Sequence, residues 1–250
     1  MVYSYASHVG KVRKNNEDYC RGEVIQNDNL ETVSIFAIAD GMGGHNKGEV
    51  ASELAVENII CFLKENLLQS KSIKIDYVDD IIKQAYNSVN SIIHKKSISE
   101  VEFQGMGTTL TIAIIYKDNL YVANVGDSRC YILQNDEFKK ITTDHSIVEE
   151  LVKANIITES EAKTHPRRNH ITRAIGTDEM VIVDIFKYKL NINDMILLAT
   201  DGLTGCVEDE DIKSVVQKDE DLEILSNELI NMANETSGKD NVSVILIKHN

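Results

Sequence analysis

Residues 108–142, TTLTIAIIYKDNLYVANVGDSRCYILQNDEFKKIT, decide the fold class. The stretch holds closely spaced apolar, β-branched runs at Thr108–Tyr116, Leu120–Val125, Arg129–Leu133 and Phe138–Thr142. The joints contain Lys117-Asp118-Asn119, Gly126-Asp127-Ser128 and Asn135-Asp136, residue types that favour tight turns. Runs of this length read as strands, and joints this short predict antiparallel neighbours.

Outward from this block the pattern alternates between sheet and helix. Val2–Val9 and Thr32–Ala39 read as strands, the second stopping at Asp40. From Gly48, residues Val50, Ala51, Leu54, Ala55, Ile59, Phe62 and Leu63 recur at helical spacing. Val78, Ile81, Ile82, Ala85, Val89, Ile92 and Ile93 repeat it, which predicts two long amphipathic helices packed as an antiparallel pair. Residues 144–164 read as broken helix, and 165–180, with the one proline, as a loop-rich excursion. Strands are predicted again at Val181–Leu190, Met195–Thr200 and Val242–Lys248, and helices at Asp209–Gln217 and Leu222–Asn234. Runs of antiparallel strands with helices in pairs predict an α+β fold, layers of sheet covered by helices, and not a doubly wound βαβ sheet. With no repeat and no linker-like stretch, residues 1–250 read as a single domain.

The composition narrows the function. With 26 Lys and Arg against 40 Asp and Glu the net charge is −14, which repels nucleic acid and anionic lipid. No apolar run approaches membrane-spanning length and the first residues lack a secretory layout, so a cytoplasmic protein is expected. Cys20, Cys61, Cys130 and Cys206 are scattered, with no Cys-x-x-Cys pair for zinc or redox work.

Four aspartates then stand out by position. Asp40, Asp127 and Asp201 each follow a predicted buried strand, and Asp240 immediately precedes one. Singly, the motifs around them read as a turn into a helix, a hairpin turn, a helix N-cap and a surface turn. Burying several carboxylates together costs several kcal/mol per ion unless cations compensate. An all-oxygen set without thiolate or fixed histidine selects Mg²⁺ or Mn²⁺.

In chain order, Arg13-x-x-x-Glu17-Asp18, Asp40-Gly41-Met42-Gly43-Gly44-His45, Gly107-Thr108-Thr109, Gly126-Asp127-Ser128-Arg129, Thr172-Arg173-Ala174-Ile175-Gly176, Thr200-Asp201-Gly202 and Lys239-Asp240-Asn241 resemble the motif series of the metal-dependent Ser/Thr protein phosphatases, type 2C. The resemblance runs from about residue 5 to 248 and is nearest to the compact bacterial members. It implies a four-layer α-β-β-α sandwich of two antiparallel sheets between helix pairs. It implies hydrolysis of phosphoserine and phosphothreonine by a metal-activated water, in opposition to a Ser/Thr protein kinase. On this pattern Asp40 bridges two Mn²⁺ or Mg²⁺ ions, Asp201 and Asp240 complete the first, and the Gly41 carbonyl serves the second. Asp127 resembles the ligand of a third ion, sharing Asp201. Asp18 resembles a carboxylate that holds a metal-bound water, with Glu17 beside it, and Arg13 stands at the family's phosphate-binding position.

Residues 144–176 correspond to a flap, a subdomain in which Arg167, Arg168, Arg173 and His170 would draw phosphorylated peptides toward the cleft. Here the sequence departs from eukaryotic relatives, which carry His where it has Met42, so that a proton-donating side chain is missing there; His45 is the nearby alternative, at a predicted helix start. Phosphorylated protein substrates, a kinase among them, and a monomeric state are expected. A same-fold phosphatase devoted to one phosphorylated regulator is the rival enzyme reading. A silent phosphoprotein-binding module predicts loss of a metal aspartate, and none is lost.

Overall fold

The computed structural model describes residues 1–26, 30–43, 47–68 and 75–250. Among them the elements are β1 (Val2–His8), β2 (Asp18–Gln26), β3 (Thr32–Met42), α1 (Gly48–Leu68), α2 (Ile75–Ser99), β4 (Gly107–Thr108), β5 (Leu110–Tyr116), β6 (Asn119–Val125), β7 (Arg129–Gln134), β8 (Glu137–Lys140), α3 (Ile147–Lys153), α4 (Glu159–Thr164), β9 (Asp184–Lys189), β10 (Met195–Ala199), α5 (Asp201–Thr204), α6 (Asp209–Val216), α7 (Leu222–Thr236) and β11 (Val242–Lys248). One sheet runs β1-β11-β10-β7-β8; the other runs β2-β3-β5-β6-β9, with β4 paired to β3. Every pairing is antiparallel.

The alternation of side chains along each strand builds the layers. In β3, Ile35, Ala37 and Ala39 join α1 and α2 in one core, whereas Phe36 and Ile38 point the other way. Phe36 and Ile38 meet Ile196, Leu198, Ile245 and Ile247 of the opposite sheet in a central core. The alternate residues of β10 and β11, Leu197, Ala199, Val244 and Leu246, form a third core with Ile212 and Val215 of α6 and Leu225 and Leu229 of α7. Three cores between four layers make the α-β-β-α sandwich that the resemblance implied. Strands buried on both faces read as continuous apolar runs even in an antiparallel sheet, which is why their sequences showed little polar alternation. No helix among the described residues is long and apolar enough to cross a membrane.

Two expectations change. β2 was not foreseen, because it is an edge strand whose Arg21 and Glu23 are satisfied by Glu57 and Lys64 of α1, so charge stands where apolar periodicity would have marked a strand. Gly22 lets it pass over Phe36, whose ring a Cβ there would meet at 2.7 Å. The Gly126-Asp127-Ser128 joint is not a hairpin turn. β6 and β7 lie in different sheets, and Gly126, at φ +108°, swings the chain from one to the other. Strand limits also move: β9 tightens to Asp184–Lys189, β8 shifts to Glu137–Lys140, and β3 does not stop at Asp40 but runs on to Met42, where β4 pairs with it.

Candidate metal and phosphate site

β2 carries Asp18 into register directly opposite Asp40 of β3, so two carboxylates face each other on neighbouring strands. Like charges so placed repel, and the backbone around Asp40 is held accordingly firmly. The Asp40 N–H donates to the Thr109 hydroxyl at 2.8 Å, and its carbonyl accepts from the Thr109 N–H at 2.9 Å and the Thr108 hydroxyl at 2.9 Å. The next residue is glycine for a steric reason: a Cβ on Gly41 would lie 2.0 Å from the Gly48 carbonyl oxygen.

The other sheet delivers the partners. β10 ends at Ala199, Thr200 takes the N-cap position of α5, and Asp201 opens that helix. The Thr200 hydroxyl is not spent on capping; it donates to Asp18 Oδ2 at 2.8 Å and accepts from the Ser243 N–H at 3.0 Å. Thr200 thereby stitches the two sheets together at the site, a role its motif did not reveal. Gly202 is crowded by the start of β11, since a Cβ there would meet the Asn241 carbonyl oxygen at 1.8 Å. Asp240 stands just before that strand, and Arg13 grips it with two donors, Nε to Oδ1 and Nη2 to Oδ2, each at 3.0 Å. Glu17 lies on the same side, 3.8 Å from Arg13 Nη1, and its backbone carbonyl accepts from the Gly41 N–H at 3.0 Å.

Asp127 sits at the corner between the sheets. Ser128 beside it shares a hydroxyl contact of 2.8 Å with Thr109, which ties the corner to the Asp40 strand. Arg129 turns a bidentate fork onto Asp144, with Nη2 to Oδ2 at 2.7 Å and Nε to Oδ1 at 3.2 Å, and also donates to the Thr204 carbonyl at 3.4 Å. This half-buried cation offsets the negative field at Asp127 and Asp201.

The acids feel one another. Burial, then Asp18, Asp201 and Asp127, raises the Asp40 carboxyl well above its ordinary range. Burial pushes Asp18 up to about 7 even though Thr200 donates to it, and burial with the Asp201 charge takes Asp127 up to about 8. Asp201 is raised by burial and by the charge of Asp240, while Asp40 beside it and the Arg129 and Arg13 cations pull the other way. Two oxygens of the set, Asp18 Oδ1 and Asp201 Oδ1, are buried with no hydrogen-bond partner. Orphaned carboxylate oxygens facing like charges fit a hard cation. Among the described residues no group of three or more His, Cys, Asp or Glu side chains is arranged to hold an ion by itself.

The remaining expected residues separate. Met42 packs toward Gly107, its β-ladder partner. His45 lies outside the described residues. In the flap Arg167, Arg168 and His170 are exposed, whereas Arg173 donates to Asp184 at 2.8 Å and to the Ile182 carbonyl at 2.9 Å, which commits it to the root of β9.

The family model of protein phosphatase 2C matches residues 4–242. The chain belongs to this family. Among its relatives is "Serine/threonine phosphatase stp" of Listeria innocua serovar 6a, 36% identical over 96% of this chain and 93% of that one. The crystal structure of the serine/threonine phosphatase Stp1 from Staphylococcus aureus superposes with a TM-score of 0.88 at 34% identity, covering 99% of this chain and 94% of that one. A third likeness is to the catalytic domain of the serine threonine protein phosphatase PstP, solved in complex with 2 manganese ions, with a TM-score of 0.82 at 32% identity, over 98% of this chain and 96% of that one. The protein phosphatase 2C chain described here is therefore a phosphoprotein phosphatase with the sandwich its motif series implied.

Proposed function

We propose that the cluster around Asp40 is the metal centre of a serine/threonine phosphoprotein phosphatase, with Asp40 shared by two ions, Asp201 and Asp240 on the first and the Gly41 carbonyl on the second. The observation that carries this assignment is the meeting of Asp18 of β2, Asp40 of β3 and Asp201 at the start of α5, with raised pKa values and two orphaned oxygens. Divalent ions bound there, Mn²⁺ or Mg²⁺, would clamp the phosphate and lower the pKa of a water to near neutrality. The chain's own residues prepare for that chemistry. Thr108 and Thr109 lock the Asp40 backbone, Thr200 orients the Asp18 carboxylate, and Asp18 and Glu17 hold ordered water beside the ions. Arg13 offers the planar fork that suits phosphate oxygens, already standing on the carboxylate beside them. With methionine at 42, the leaving serine or threonine oxygen takes its proton from water ordered by these carboxylates, not from a side chain at that position.

Asp127, with Asp201, is assigned to a third ion. Residues 1–250 form one catalytic domain with a flap at 144–176, where exposed Arg167 and Arg168 attract the phosphopeptide and Arg173 fixes the flap's return to the body. The substrates are phosphorylated proteins, with a Ser/Thr kinase as the opposing enzyme, and the phosphatase acts as a cytoplasmic monomer, a setting that suits its four free cysteines.

The test is hydrolysis of para-nitrophenyl phosphate and a phosphothreonine peptide with Mn²⁺, with chelator, and by Asp40→Asn. Activity that needs Mn²⁺ and falls by about a thousandfold in Asp40→Asn is expected. Equal rates for wild type and variant would reject the assignment.

A further inference from the structure

The segment between β1 and β2, residues 9–17, has no regular structure, yet it carries Arg13 and Glu17. Within it only Gly10 is buried, so apolar packing does not fix its shape. Hydrogen bonds do: the Gly238 carbonyl accepts the Lys11 N–H at 2.7 Å, His8 Nδ1 accepts the Gly10 N–H at 2.9 Å, and one further side chain holds both ends of the segment. Asn241, 3% exposed, accepts the Glu17 N–H on Oδ1 at 2.8 Å and donates from Nδ2 to the Val9 carbonyl at 2.9 Å and to the Asn15 carbonyl at 2.9 Å. Both ends of the segment are thus clasped by one amide. The partners fix its orientation, because two carbonyls require the NH₂ and an N–H requires the oxygen. Asp would keep the acceptor but set a carboxylate against two carbonyls, and Ala would keep neither.

The backbone of the same residue works on the other side of the site. The Asn241 N–H donates to Asp240 Oδ1 at 2.9 Å, the oxygen that Arg13 Nε contacts at 3.0 Å. One residue therefore orients the carboxylate through its main chain and, through its side chain, sets the loop from which arginine reaches that carboxylate.

We propose that Asn241 is a positioning residue for phosphate binding, holding the Arg13 loop at the height from which the guanidinium meets the substrate phosphate. The proposal rests on the assignment of that phosphate to Arg13. It concerns binding more than chemistry, so its signature is in KM. At saturating Mn²⁺, with para-nitrophenyl phosphate and a phosphothreonine peptide, Arg13→Ala and Asn241→Ala are each expected to raise KM by about fivefold or more, with kcat within about threefold. Because Asn241 acts through the arginine, the double variant should match Arg13→Ala within about twofold. Additive losses in the double variant, a fall in kcat at wild-type KM, or a wild-type KM in Asn241→Ala would each overturn the proposal. A wild-type KM in Arg13→Ala would instead reject the underlying assignment. Asn241→Asp serves as the second variant and should raise KM as Ala does. If neither Asn241 variant melts cooperatively, the residue belongs to the folding core and the proposal falls.

Discussion

Asp18 shows how a single side chain is held at a cost that function explains. It is 6% exposed, faces Asp40 across a ladder and keeps one oxygen without a partner. Asn at this position would still accept from Thr200 while removing the buried charge. We therefore expect metal-free Asp18→Asn to melt a few degrees above wild type at pH 8 and level with it near pH 4, where the wild-type acid is already protonated. The same variant should lose about tenfold or more in Mn²⁺-dependent activity. Thermal melts in chelator at the two pH values, with assays in parallel, check both halves. A variant less stable than wild type at pH 8 would mean that Asp18 serves the fold and not the ions.

At the scale of elements, the close passage of α5 against the start of β11 sets the spacing of Asp201 and Asp240. Gly202→Ala would place a methyl 1.8 Å from the Asn241 carbonyl oxygen, and overpacking of this kind costs about 1–3 kcal/mol. The helix must shift to accept it, so activity should fall by more than the melting point suggests. A variant with wild-type turnover would show that this spacing is slack. Gly126→Ala tests the corner in the same way, since it combines φ +108° with a contact of 2.5 Å to Thr109 Cγ2; Asp127 should move with it, and activation at high Mn²⁺ should weaken while activation at low Mn²⁺ persists.

Much of this was legible in the residues. Continuous apolar runs announced strands buried on both faces, and helical spacing announced α1, α2 and α7. The aspartates read beside strand ends are carboxylates that the fold brings together. What escaped notice depended on contacts distant in sequence. β2 trades apolar periodicity for ion pairs with α1, and the 126–128 joint has hairpin composition but leads into another sheet. Arg173, read as a flap residue that draws in substrate, also pairs with Asp184, eleven residues away. Thr200 and Asn241 lay inside recognised motifs, but their work is done across the sheet interface, where one-dimensional spacing carries no information.

For the whole molecule, the acids make stability depend on pH in a definite direction. Asp18 and Asp127, near 7 and 8 in the fold against about 4 in the unfolded chain, bind more protons folded than unfolded between those limits. The metal-free protein should therefore lose stability as pH rises from about 4 to 8. Mn²⁺ binding, which releases those protons, should stabilise it most at the upper end. Melting curves with chelator and with Mn²⁺ across this range check the sign, and parallel curves at all pH values would contradict it. The net charge of −14 adds a second consequence, because flap arginines in the proposed substrate role would attract phosphopeptides against the field of the whole chain. At low salt, activity toward highly acidic phosphopeptides should drop, and added salt should restore it. The most direct measurement is anomalous diffraction from crystals of the protein grown with Mn²⁺. Two strong peaks that share Asp40 are expected, one of them also bound by Asp201 and Asp240. Crystals with no Mn²⁺ against Asp40 would contradict the assignment.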